Sequence, residues 1–340
     1  MSEKILITGG AGYIGSVLTQ KLMESKKVWS LSSWNKVGPG GAEKSVNPGQ
    51  YTWDKVTVYD NLMYNQTPLI NYCYKDDFEF VKGDVRDEES LLPYIQEADV
   101  IIPLAAIVGF PACDKDKKLA EQINVDHVKF ILKNKKQDAK VIFPNTNSGY
   151  GVGKGDEFCT EESPLNPISW YGITKCEAEK AVLEAGGVSL RLATVFGVSQ
   201  RMRLDLLVND FTYKAVKDGY LVLFESHFKR NYIHVQDVAL VFIRAIIDYI
   251  KMSGEAYNVG ISSANLSKLE LAETIKKYVP NLSITCDEIA KDPDKRDYIV
   301  SNEKLESLGW RPYYSLDRGI SELLKAYTII NASLNQYTNL

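Results

Sequence analysis

Short apolar runs alternate with stretches of helical periodicity through the first half of the chain. The runs are Lys4-Ile5-Leu6-Ile7-Thr8, Val56-Thr57-Val58-Tyr59-Asp60, Phe78-Glu79-Phe80-Val81, Asp99-Val100-Ile101-Ile102-Pro103, Lys140-Val141-Ile142-Phe143 and Val188-Ser189-Leu190-Arg191-Leu192. Several are apolar throughout rather than at alternate positions, which marks strands buried on both faces, as in a parallel sheet. Helical stretches follow at 16–23, around 124–132 and around 171–175. Five or six strands alternating with helices predict an α/β protein with a doubly wound parallel sheet. After about residue 196 the alternation loosens. Brief runs at 222–224 and 257–260 lie among helices expected near 204–218, 234–251 and 267–278. The expected organisation is a sheet domain over 1–195 and a smaller mixed lobe over 196–340, with 229–257 returning to the larger part. Residues 28–54 read as an insertion holding Trp29, Trp34 and Trp53, with Pro39 and Pro48.

The first strand runs directly into Gly9-Gly10-Ala11-Gly12-Tyr13-Ile14-Gly15 and then a helix. Strand, glycine turn and helix in that order form a phosphate-binding device: small residues permit the turn and let backbone N–H groups at the helix start approach a pyrophosphate. Gly9, Gly12, Tyr13, Ile14 and Gly15 are therefore cofactor candidates. Such a site needs an acid at the end of the next strand to hold ribose hydroxyls. Ending that strand at Ser32-Ser33-Trp34 supplies none, whereas Asp60, followed by Asn61, does. A carboxylate there favours NAD, because it repels the additional phosphate of NADP. Asp84 and Val85 close the third strand, with Asp84 placed to accept from an adenine amine. Leu104, Ala105 and Ala106 end the fourth with side chains small enough for a cofactor to lie close.

Tyr171 and Lys175, four residues apart on a helix, share one face. A phenol beside an ammonium can transfer protons, but ionising it near neutrality means a shift of roughly 3 units, about 4 kcal/mol. By itself the spacing is equally that of a solvated helix face.

Composition excludes more than it proposes. The 340 residues are 45% hydrophobic and 25% charged, with a formal net charge of −4, so no general electrostatic attraction to nucleic acid or anionic membranes is expected. Five scattered cysteines without a CxxC pair fit a reducing compartment, and the three histidines lack metal-ligand spacing. No apolar run approaches the ~18 residues of a membrane span. A cytoplasmic protein without a metal is the expectation.

Taken together, Thr8-Gly9-Gly10-Ala11-Gly12-Tyr13-Ile14-Gly15, the Tyr171/Lys175 pair, Arg230-Asn231-Tyr232-Ile233-His234-Val235-Gln236-Asp237-Val238 and Leu308-Gly309-Trp310-Arg311-Pro312 resemble the extended short-chain dehydrogenase/reductase family, in its nucleotide-sugar epimerase/dehydratase branch. The resemblance covers nearly the whole chain. It implies a Rossmann-type NAD domain with a smaller C-terminal nucleotide-sugar lobe, and a homo-oligomer, dimer or tetramer. It implies that Tyr171 is the catalytic base, that Lys175 holds the nicotinamide ribose and lowers the pKa of Tyr171, and that Thr146 hydrogen-bonds the reacting hydroxyl. Asn147, Ser148 and Thr194 fall along the implied substrate site, with Arg230 and Arg296 on the diphosphate.

Departures from the family pattern narrow the chemistry. Where dehydratases carry Asp and Glu after the Thr, this chain has Asn147 and Ser148, so 4,6-dehydration is not expected. Thr194 replaces a frequent asparagine and Asn231 a frequent aspartate. Oxidation at C4 of a nucleotide-activated sugar remains. The runs Asn145-Thr146-Asn147-Ser148-Gly149-Tyr150-Gly151 and 104–110 are most similar to GDP-manno-heptose 4-dehydrogenases of capsule biosynthesis. The alternatives are a 4-epimerase resembling UDP-glucose 4-epimerase and, remotely, a redox-silent NAD-binding sensor.

Overall fold

The computed structural model describes residues 3–24, 53–155, 157–287, 296–330 and 337–339. Its centre is a seven-stranded parallel sheet. In chain order the strands are β1 (Glu3–Thr8), β2 (Trp53–Asp60), β3 (Phe78–Lys82), β4 (Val100–Pro103), β5 (Lys140–Thr146), β7 (Val188–Leu192) and β11 (Ala256–Val259). In space they run β11-β7-β5-β4-β1-β2-β3. The order reverses beside β1, whose Thr8 pairs with Tyr59 of β2 on one side and Pro103 of β4 on the other. That reversal opens a crevice at the carboxyl ends of the strands.

Both faces of the sheet are covered, as the unbroken apolar runs require. Ile5 and Ile7 join one core with Val17, Leu18 and Leu22 of α1 (Tyr13–Glu24). Leu6, between them, joins the other with Leu91 and Ile95 of α2 (Glu88–Glu97). Each such fully buried aliphatic side chain contributes about 1.5–3 kcal/mol. The architecture is Rossmann-like α/β.

Seven strands are present where the pattern predicts five or six. The difference includes β11. The run from Tyr257 is expected among the looser elements of the second half, at the end of the 229–257 segment expected to return to the larger part, and it pairs in parallel with β7, Tyr257 opposite Leu190. Strand β2 also begins earlier than the apolar run suggests, at Trp53, whose buried indole Nε1–H donates to Leu22 O at 3.1 Å. The rest of the expected insertion, with Trp29 and Trp34, lies outside the described residues.

Three small sheets follow the main one in composition. β6 (Phe158–Cys159) pairs with β14 (Ile299–Val300), and β8 (Thr194–Phe196), β10 (Lys229–His234) and β12 (Asn265–Ser267) form a second. β9 (Tyr220–Phe224) pairs in parallel with β13 (Ser283–Asp287). The largely buried helix α8 (Val235–Ile247) follows β10 and packs on α1.

Candidate functional site

The glycine turn is fixed by contacts that no side chain could share. Gly9 has φ +70°, and a Cβ on it would lie 2.5 Å from Ala105 N; one on Gly15 would lie 2.6 Å from Gly10 Cα. The first glycine thus lets β1 and β4 close against each other, and the second lets α1 start on top of the turn. Asp60, at the end of β2, closes on the turn. Its Oδ2 accepts from Ala11 N at 2.9 Å and its Oδ1 from Leu62 N at 2.8 Å. Burial raises its carboxyl pKa, and the two backbone N–H groups pull it back. Tyr13 donates its hydroxyl to Gly197 O at 2.7 Å and accepts from Asn209 Nδ2 at 3.2 Å, tying the helix start to the segment after β8.

From this turn a cavity of about 630 Å³ extends along the carboxyl ends of the strands. Gly9, Gly12, Tyr13, Ile14, Gly15, Asp60, Asn61, Val85, Leu104, Ala105 and Ala106 line it. So do Thr146, Ser148, Tyr171, Lys175, Thr194, Arg230 and Arg296. Residues far apart in sequence thus line one cavity.

Tyr171 and Lys175 sit on α6 (Trp170–Glu184), whose N-terminus is capped by Ser169 Oγ accepting from Gly172 N at 3.2 Å. Burial dominates the electrostatics of both. It pushes the Tyr171 phenol up to about 12, with the Arg296 and Arg203 charges pulling down. It lowers the Lys175 ammonium to about 7, opposed by Glu179. For Tyr171, which is partly buried against the cavity, burial together with Cys113 and Tyr298 outweighs the Arg296 and Arg203 charges; for Lys175, which is buried, loss of water outweighs Glu179. Lys175 Nζ lies 3.9 Å from the centroid of the Phe143 ring.

Thr146 ends β5 and caps the 3₁₀ turn Asn147–Tyr150. Its Oγ1 accepts from Ser148 N at 3.1 Å and donates to Ser148 Oγ at 2.9 Å. Arg296 Nη1 also donates to Ser148 Oγ. Two expected residues are absent from the wall. Asp84 is bound by its neighbour: Arg86 Nη2 and Nε reach its two carboxylate oxygens at 2.8 and 2.9 Å, and hydrogen bonding to Arg86 holds its pKa down to about 2. Asn147 is buried, and its amide has no hydrogen-bond partner among the described residues.

A buried polar layer supports the reactive edge. Glu179, one turn beyond Lys175 on α6, accepts from Arg191 Nη2 at 2.8 Å, Asn145 Nδ2 at 2.6 Å and Ser189 Oγ at 2.5 Å. Arg191 Nη1 in turn donates to Tyr150 Oη at 3.0 Å. Asn124 lies in a π-turn (Gln122–Asp126) and clamps Ile107, accepting from its N at 2.9 Å and donating to its O at 3.1 Å. The same amide donates to Thr174 Oγ1 at 3.1 Å.

Sequence patterns gave no sign of several cavity residues. Arg201 is buried and stacks 4.5 Å from the Tyr64 ring centroid; Arg203 is ion-paired with Asp205; Lys268 donates to Phe224 O at 2.8 Å. The one available hint is the compact Arg201-Met202-Arg203-Leu204-Asp205 run in a loop after a strand. No cluster of His, Cys, Asp or Glu suited to a metal ion occurs among the described residues. No described helix is long and apolar enough to cross a membrane.

The model of the NAD dependent epimerase/dehydratase family matches residues 5–260. The chain belongs to this family. It is an enzyme of the short-chain dehydrogenase/reductase type and its cofactor is NAD. The turn closed by Gly9 and Gly15, with the Asp60 carboxylate bound to it through Ala11, fits that cofactor. Among similar proteins, the low-salt glycan biosynthesis protein Agl12 of Haloferax volcanii is 26% identical, the match covering 95% of this chain and 98% of that protein. A putative UDP-glucose 4-epimerase of Methanocaldococcus jannaschii is 25% identical, covering 94% and 97%. A dTDP-glucose 4,6-dehydratase from Streptomyces venezuelae, solved with NAD bound, superposes with a TM-score of 0.78 at 22% identity, covering 98% of this chain and all of that one. At that identity the likeness establishes the family's fold.

Proposed function

We propose that this enzyme oxidises C4 of a nucleotide-activated sugar, with the sheet domain holding NAD and residues 196–340 holding much of the substrate. The observation that carries the reading is the one cavity lined by the glycine turn, Tyr171, Lys175 and Thr146. Gly9, Gly12 and Gly15 would cradle the pyrophosphate of NAD and Asp60 its adenosine ribose; when bound, NAD supplies the hydride acceptor. Tyr171 Oη takes the proton of the C4 hydroxyl while Thr146 Oγ1 orients the same oxygen. Lys175 Nζ holds the nicotinamide ribose and stabilises the ionised phenol. Arg230 and Arg296 bind the diphosphate, for which the planar guanidinium is suited.

Asn147 and Ser148 offer no carboxylate acid or base beside Thr146, so the reading ends at the 4-keto sugar or at its re-reduction. Re-reduction on the opposite face makes a 4-epimerase, and the putative UDP-glucose 4-epimerase among the relatives favours that outcome. The run Asn145 to Gly151 supports the other, release of the ketone as in a GDP-manno-heptose 4-dehydrogenase. Incubation with a panel of UDP- and GDP-sugars, followed by product analysis, decides: an inverted alcohol supports epimerisation and a 4-keto sugar the dehydrogenase. Loss of water from C5 and C6 would overturn the assignment.

A further inference from the structure

In the proposed reaction the diphosphate and the reacting hydroxyl meet different residues, Arg296 and Thr146. One side chain touches both. Ser148 Oγ receives the Thr146 hydroxyl at 2.9 Å and an N–H of Arg296, while Ser148 N donates back to Thr146 Oγ1 at 3.1 Å. Ser148 is itself buried and lines the cavity. A guanidinium carries its N–H donors in a rigid fork, a geometry that lets one side chain serve both a hydroxyl and a phosphate oxygen.

We propose that Ser148 is a positioning residue that fastens Arg296 to Thr146, so that the cation binding the substrate diphosphate is held against the catalytic hydroxyl. The inference rests on the C4-oxidation reading. It gives Arg296 a second task beyond holding phosphate, because its charge also favours the ionised phenol of Tyr171. The titratable groups that act electrostatically on Tyr171 are Cys113 from the helix over Phe110–Lys115, Arg203 from the loop after β8, and Tyr298 and Arg296 from the segment before β14; Lys175, one turn on along the same helix, lines the same cavity. Of these, Arg296 is the one joined to Thr146 through a shared hydroxyl.

A double-mutant cycle on the NAD-loaded enzyme tests this, using Ser148→Ala, Arg296→Gln and the pair. Two properties are read: affinity for UDP and GDP by calorimetry, and kcat, KM and the pH profile with whichever sugar is turned over. Ser148→Ala is expected to lower kcat about tenfold, weaken nucleoside diphosphate binding about threefold and move the ascending pH limb upward, as loss of one charge-assisted hydrogen bond would. Arg296→Gln does the same more strongly, and in its background Ser148→Ala has no added effect. Multiplying effects overturn the proposal, as does a Ser148→Ala enzyme changed only in melting temperature. Failure of the parent enzyme to bind either nucleotide also overturns it. Should Ser148→Ala not fold, Ser148→Cys, of similar volume and weaker hydrogen bonding, is read in the same cycle. The binding arm needs no turnover, so it is separable from the C4 reading, which falls if Tyr171→Phe keeps full activity.

Discussion

The carboxylate of Asp60 accepts the backbone N–H of Ala11 at 2.9 Å, so the acid at the end of β2 is built into the glycine turn. Replacing Asp60 with Ala strips that buried N–H of its partner, at a cost of about 1–3 kcal/mol. Asp60→Ala is expected to lower both the unfolding midpoint and NAD affinity, the latter about tenfold or more. Asp60→Asn, which retains an acceptor oxygen, should lose less of both. Urea unfolding and NAD titration measure the two effects.

Tyr171 is expected to be indispensable for proton transfer. Tyr171→Phe should reduce turnover about 10²–10⁴-fold while leaving NAD binding near that of the parent. Burial pushes the phenol up to about 12, so the base form of the free enzyme grows with pH. The value of kcat/KM should rise on the acid side of neutrality and flatten above about pH 7, where Lys175 loses the charge that favours the ionised phenol. A flat profile with a slow chemical step would remove Tyr171 as the base.

Lys175 should be a liability for stability. Its pKa falls from 10.5 to about 7 on burial, so the unfolded chain binds the extra proton between those values. The penalty, on the order of 4–5 kcal/mol, is complete below about pH 7, shrinks as pH rises and is gone above about pH 10.5. Lys175→Met is therefore expected to raise the melting temperature of the NAD-free protein at pH 6, to do so little at pH 10, and to abolish turnover. Calorimetric scans at the two pH values supply the check.

Breaking the Glu179–Arg191 pair should be costly. Their side chains are only 3% and 6% exposed, and removing one partner leaves a buried charge, a loss of about 3–5 kcal/mol. Arg191→Met is expected to destabilise strongly, and adding Glu179→Gln should restore part of the loss. Equal melting of the two variants would deny that the charge is the cause.

What was legible in the sequence was local. The glycine turn and the Tyr171/Lys175 spacing each lie within eight consecutive residues, and buried parallel strands leave unbroken apolar runs. Asp60 could be found across a long interruption because a ribose-binding acid must end a strand. Asp84 reads as a ligand residue because sequence shows its position after β3 but not that Arg86 folds back on it. Arg201, Arg203, Lys268, Asn124 and Glu179 are invisible for another reason. Arg203 pairs locally with Asp205, but only the fold carries that pair to the cavity, and the others act through partners brought close by tertiary folding, such as Asn124 with Thr174 and Glu179 with Arg191. The fall of the Lys175 pKa is likewise a property of its surroundings, which no spacing encodes.

The late arrival of β11 has a consequence for how the molecule is made. Strand β7 ends at Leu192, but its outer neighbour begins at Ala256, so the edge of the sheet stays unpaired until the intervening residues have been synthesised. Non-local parallel pairing of this kind is slow, and an uncovered apolar edge invites pairing with another chain. A nascent polypeptide stalled between those two strands would be the species most in need of a chaperone, and maturation of the sheet would be timed by the segment that separates them.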